Sequence, residues 1–93
     1  MTYNTPENIE KVGAAFLKEL TSWFGADNVK PTAHMIENGN DHYDANMAMD
    51  AAMRSVGILP QDENADLPLD DEDFVDLFNN AWSRAVELAG RAA

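Results

Sequence analysis

At 93 residues the chain is the length of a single domain, and its hydrophobic fraction of 45% is enough to build one small core. It has no cysteine, which excludes disulfides, zinc–thiolate sites and cysteine nucleophiles. Seventeen acidic residues against six basic ones leave a net charge of −11, so the surface repels DNA, RNA and anionic lipid and attracts cations or basic proteins.

Met1 to Lys11 lacks the basic start and apolar run of a signal peptide, and no apolar stretch approaches the roughly 20 residues of a membrane span. A cytoplasmic location is therefore expected. Thr5-Pro6-Glu7 reads as a helix start: a hydroxyl to cap, a proline suited to the first helical position, and a carboxylate facing the positive dipole end. Ile9, Val12, Phe16, Leu17, Leu20, Trp23 and Phe24 recur at three- and four-residue steps, which predicts one apolar face over about 6–24 with a stop at Gly25. Trp23 belongs to that face and is expected to anchor the helix in the core, as Trp82 does later in the chain.

Between 26 and 40 the pattern is weaker. Pro31 can open a short helix over about 31–38, closed by Gly39; the competing reading is an isolated extended piece over 29–36 ending at the Asn38-Gly39 turn. Asp41 to Val56 carries Ala45, Ala48, Met49, Ala52, Met53 and Val56 on one face, small and pliable side chains that let a neighbouring helix come close. Gly57 is its expected cap, and 57–69, with Pro60 and Pro68, reads as a linker. A third helix over about 71–89 follows, with Asp70 at its cap and Leu69 and Phe74 spaced as a hydrophobic staple. Phe74, Leu77, Phe78, Ala81, Trp82, Ala85 and Ala89 form its stripe, and Gly90 is the expected stop. The fold class is thus all-α: a single acidic domain over 1–93, a small bundle of three long helices with a short helix allowed at about 31–38.

The densest local charge lies between Asp62 and Asp76, where Asp62, Glu63, Asp66, Asp70, Asp71, Glu72, Asp73 and Asp76 fall together and no Lys or Arg occurs from Ser55 to Ser83. Asp70 to Asp73 suit a helix start, each stabilised by roughly 0.3–1 kcal/mol through the dipole. Capping leaves the linker acids unexplained, as it does Asp76 one turn after Glu72, where like charges repel.

One reading of the run is calcium. Asp62, Asn64, Asp66, Asp70 and Asp73 occupy positions 1, 3, 5, 9 and 12 of a twelve-residue loop entering a helix. The segment Asp62 to Trp82 resembles an EF-hand or dockerin-type loop with its exiting helix, and that resemblance implies these five as ligands with the Pro68 carbonyl at position 7. It departs at position 6, where a sharp turn calls for Gly and the chain has Leu67, held extended by the following proline.

The other reading, and the leading one, is mimicry. B-DNA carries about one negative charge per 1.7 Å of axis, and its binders meet it with Lys and Arg. Carboxylates at i,i+3 and i,i+4 on a helix stand about 5–6 Å apart and can present a comparable row. In character, though not in motif, a small acidic cysteine-free helical protein is similar to phage-encoded inhibitors of restriction or CRISPR machinery. The expected activity is non-enzymatic: Asp62, Glu63, Asp66, Asp71, Glu72, Asp73 and Asp76 engage a basic surface, that of a nucleic-acid-binding protein, with no direct nucleic acid or membrane contact and no cofactor apart from the calcium alternative. A monomer or homodimer fits either reading. A structural or assembly subunit using the Met-rich second helix, with Met47 off the main stripe, is a further alternative.

A second cluster, Glu37, Asp41, His42, Asp44 and Asp50 with His34 nearby, has no fixed ligand spacing, and capping of the second helix explains it better than a metal. Helical nucleotide pyrophosphohydrolases, which bind magnesium through repeated Glu-x-x-Glu helices, share its paired acids but not that repeat. No serine sits in a nucleophile turn, and there is no phosphate-cradling glycine loop.

Overall fold

The computed structural model describes residues 3–32, 35, 41–60 and 67–92, and of these all side chains except those of 41–44 and 92. Three long helices, α1 (Pro6–Phe24), α2 (Asp41–Ser55) and α3 (Glu72–Ala92), with a 3-10 turn at Ala26–Asn28, make an all-α bundle.

The helix ends follow from local chemistry. Thr5 Oγ1 accepts the Asn8 amide at 3.1 Å, and Pro6 opens α1. Gly25 ends it at φ +88, donating its amide to the Thr21 carbonyl. At the end of α2, Gly57 stands at φ +85 while its amide reaches the Arg54 carbonyl at 3.2 Å and the Ile58 amide reaches that of Met53 at 2.9 Å. Those two bonds are the paired closure in which a left-handed glycine satisfies the last carbonyls of a helix. α3 starts one residue later than expected: Asp71, not Asp70, is the cap, and its Oδ1 accepts the Asp73 amide at 2.9 Å. Leu69 is 63% exposed, so the expected staple onto Phe74 is not what fixes the entry to α3. Gly90 does not stop this helix either, which runs on to Ala92.

The expected short helix near 31–38 is not seen in its described residues. Pro31 and Thr32 bend, the Lys30 amide donates to the Met35 carbonyl at 2.7 Å, and Met35 takes a left-handed φ of +66 that no helix continues. The rest of that stretch, and of the competing 29–36 piece, lies outside the described residues. Met35 is fully buried.

The core is one cluster. Val12, Phe16 and Leu20 of α1 meet Ala45, Ala48, Met49, Ala52 and Met53 of α2 on one side and Phe74, Leu77, Ala81, Ala85 and Ala89 of α3 on the other. α1 is the central helix, packing along both partners, whereas α2 and α3 scarcely approach each other among the described residues. Trp82 is half-buried, its ring 4.8 Å from that of Phe16 and 5.9 Å from that of Phe78. Trp23, expected in the core, is 44% exposed and donates its indole N–H to Glu19 at 3.0 Å. It keeps the three-residue step from Leu20 but lies in the last turn of α1, one residue before the helix ends.

Gly13 sets the α1–α3 distance. A Cβ there would lie 2.9 Å from both Cβ and Cγ of Arg84 and 3.2 Å from the Ala81 carbonyl oxygen, atoms too close to the α3 backbone to swing away. Alanine would gain up to about 1 kcal/mol of helix propensity, but forcing the helices apart costs about 1–3 kcal/mol. Gly13→Ala is therefore expected to lower the unfolding free energy by up to about 2 kcal/mol, read as a lower urea midpoint at unchanged m-value; a higher midpoint would show that the helices are not in contact there.

Candidate functional site: the acidic start of the third helix

The acids at the start of α3 divide into those that hold the fold and those that face solvent. Asp71 caps the helix, and its carbonyl accepts the Val75 amide at 3.1 Å. Asp73 reaches away from the helix: its Oδ2 accepts the backbone amides of Tyr3 and, at 3.2 Å, Asn4. The same N-terminal segment is fixed at three further points. The Tyr3 ring stands edge-on to Phe74 with centroids 5.4 Å apart, Asn80 Nδ2 donates to Asn4 Oδ1 at 3.0 Å, and Asn8 Nδ2 donates to the Tyr3 carbonyl at 2.9 Å. One carboxylate thus ties the entry to α1 onto the first turn of α3.

Asp70, Glu72 and Asp76 are exposed, and no described hydrogen bond or ion pair occupies their carboxylates. Glu72 and Asp76 are one turn apart on α3, and Asp70 and Asp71 precede them, so four exposed acids lie within two turns of one ordered helix start. Asp62, Glu63 and Asp66, expected to extend this row, lie outside the described residues.

The calcium loop fares differently at its two ends. Asp62, Asn64 and Asp66 are outside the described residues. At the other end Asp73 already accepts two backbone amides, and the Pro68 carbonyl accepts the Asp71 amide at 3.1 Å, closing a turn. Asp70 alone of the described ligand set has an exposed carboxylate with no described partner. Among the described residues no group of three or more His, Asp or Glu side chains converges as a metal site.

Of the second cluster, His34 and Glu37 lie outside the described residues, and Asp41, His42 and Asp44 fall in the first turn of α2 with side chains that are not described. Asp50 is placed: its Oδ1 lies 3.1 Å from Arg54 Nε, an ion pair that lacks the alignment of a hydrogen bond. Arg54 is only 7% exposed and donates from Nη1 to the Pro60 carbonyl at 2.6 Å, pinning the chain where it leaves α2. Beside Asp50 an apolar groove of about 360 Å³ opens between α2 and α3, lined by Asn46, Asp50, Met53, Leu67, Leu69, Phe74, Val75 and Phe78.

Two features had little signal in the sequence. One is the groove, which needs the bundle to exist. The other is a polar clamp across α1 and α3: Arg84 Nε and Nη2 donate to the two Glu10 carboxylate oxygens at 2.7 and 3.0 Å, and Nη1 donates to Glu87 at 2.9 Å. Only the Arg84–Glu87 spacing, i,i+3, was visible in advance.

No protein-family model, curated protein or solved structure matches this chain.

Two outcomes follow from these contacts. Replacing Asp73 by Ala removes a charged acceptor from two amides and is expected to cost about 1–3 kcal/mol, measured by thermal or urea unfolding; an unchanged stability would mean that the N-terminal tie is not made. Hydrogen bonding from Arg84 holds the Glu10 carboxyl below its ordinary value of 4.5, and the same bonds raise Arg84. A depressed carboxyl pKa stabilises the fold above the unfolded value, and that contribution is lost as pH falls through the folded value. Unfolding of the wild type should therefore become easier below pH 4.5 more steeply than that of Glu10→Gln. Parallel pH profiles would count against the clamp.

Proposed function

We propose that the protein is a non-enzymatic inhibitor or nucleic-acid mimic whose carboxylates occupy a basic, nucleic-acid-binding surface of another protein. One observation carries this reading: Asp70, Asp71, Glu72 and Asp76 are all exposed at an ordered helix start, in a stretch from Ser55 to Ser83 without a single Lys or Arg. Charges fixed on a helix need no ordering when a partner arrives, so the entropy that a loose acidic tail would lose on binding is already spent. The partner's guanidinium and ammonium groups would meet an uncompensated negative field, which favours fast, steered association. Asp73 contributes mainly by holding the start of α3 in place, since its carboxylate is turned to Tyr3 and Asn4.

No described helix is long and apolar enough to cross a membrane.

The test is retention of basic, nucleic-acid-binding proteins from a source-cell extract on the immobilised chain, with duplex DNA as competitor. The bound protein is expected to be released by added salt as the Debye length shrinks from about 10 Å at 0.1 M towards 3 Å at 1 M. It should also be displaced by DNA and lost with the double charge reversal Glu72→Lys, Asp76→Lys. Retention that ignores salt, DNA and the reversal would overturn the reading.

A further inference from the structure

The groove between α2 and α3 is a largely apolar surface with Asp50 in its lining and four exposed acids next in sequence to the residues of its α3 wall. Its walls are Met53 on α2 and Phe74, Val75 and Phe78 on α3, with Leu67 and Leu69 beside them. Met53 and Phe74 are buried, Val75 and Phe78 are half-buried, and Leu69 is 63% exposed. An isolated exposed leucine is ordinary; one beside a groove of about 360 Å³, within the range of about 300–1,000 Å³ of ligand pockets, is a candidate anchor point. Charge then narrows the occupant. Asp50 lines the groove, Asp70 adjoins Leu69, Asp71 and Glu72 precede Val75 by one turn, and Asp76 follows it. Arg54, one turn after Asp50 on α2, is buried and directed to the Pro60 carbonyl and Asp50.

We infer that this groove seats the apolar face of a basic amphipathic helix from a partner protein, with that helix's Lys and Arg residues lying over Asp70, Asp71, Glu72 and Asp76. The inference rests on the proposed basic partner and adds where its apolar anchors insert. A helix fits better than a strand because both walls are helices, whose backbone groups are already bonded and offer no edge to extend. Apolar residues at i, i+3, i+4 and i+7 would drop between the walls while the flanks of the same helix carry the positive charge.

The probe is a synthetic peptide of about 18 residues, roughly five helical turns, with Leu at those spacings and Lys elsewhere. Two controls isolate the terms: one has Ser in place of every Leu, the other Glu in place of every Lys. The full chain is expected to bind the Leu/Lys peptide at least about tenfold more tightly than the Ser/Lys peptide, since burying even one leucine is worth more than that factor. The Leu/Glu peptide should not bind. Leu69→Asn, at a largely exposed position, should leave the far-ultraviolet circular dichroism unchanged and weaken the Leu/Lys peptide about tenfold while sparing the Ser/Lys one. On the unaltered protein, methyl chemical shifts of Leu69 and Val75 should move on titration, which keeps the test independent of any variant's folding.

Equal affinity for the Leu/Lys and Ser/Lys peptides, or shifts confined to other methyls, would overturn the groove while leaving the acidic surface intact as a site. Failure of every basic peptide to bind at low salt would overturn the underlying charge reading as well. Concentration-dependent self-association with shifts at Leu69 and Val75 would also overturn the inference, by assigning the groove to a second copy of the chain.

Discussion

Both outer helices need α1, and Gly13 is what lets α3 pack close against it. α1 turns Val12, Phe16 and Leu20 into a single core that α2 and α3 share, while α2 and α3 hardly meet among the described residues. Because no Cβ stands at position 13, α3 settles close enough for Arg84 to span to Glu10 and for Trp82 to pack on Phe16. The alanines of α2 play the corresponding part on the other side, where Ala45, Ala48 and Ala52 are fully buried. The close contact along α1 and the groove between the outer helices are therefore two results of one arrangement. Helices that pack tightly on a shared centre need not close on each other.

The same arrangement disposes the charge. Of six basic residues, Arg54 is turned inward onto Asp50 and the Pro60 carbonyl, and Arg84 is held between Glu10 and Glu87. Lys11 and Lys18 lie exposed on α1. None of the six falls between Ser55 and Ser83, and no described ion pair involves the exposed acids at the start of α3. Asp73 lends the region its order. By binding the amides of Tyr3 and Asn4 it joins the entry to α1 with the first turn of α3, and the neighbouring carboxylates inherit a fixed backbone. An acidic helix start is ordinary dipole chemistry. One tied down at two chain segments and bordered by an apolar groove is a surface with shape as well as sign.

The legible parts of this protein were those governed by local rules. Thr5-Pro6, Gly25 and Gly57 carry their turn chemistry in their identities, and the three apolar stripes needed only the helical period to be seen. Legibility failed where two local choices were nearly equal or where distant residues decide. Asp70 and Asp71 are both good caps, and only the bond to the Asp73 amide selects the second. Gly90 has the identity of a stop, yet it sits in an exposed turn that the helix simply continues through. Trp23 matches the period of α1 but lies where neither partner helix covers it. At the site, the acidity was plain from composition. The division of labour was not: that Asp73 faces inward and Glu72 and Asp76 outward depends on where residues about 70 positions earlier in the chain return.

All of this depends on the start of α3 being held as firmly as the core, so that its carboxylates form a fixed pattern. Native-state hydrogen exchange at single-residue resolution addresses that point directly. Amides from Val75 to Leu77, in the second turn of α3 around Asp76, are expected to exchange only with the global unfolding that releases Val12 and Phe16, and the Tyr3 and Asn4 amides should share their protection. Exchange of Val75 to Leu77 near unfolded-chain rates, while Val12 and Phe16 remain protected, would contradict it: the acids would then be a frayed end and not a surface.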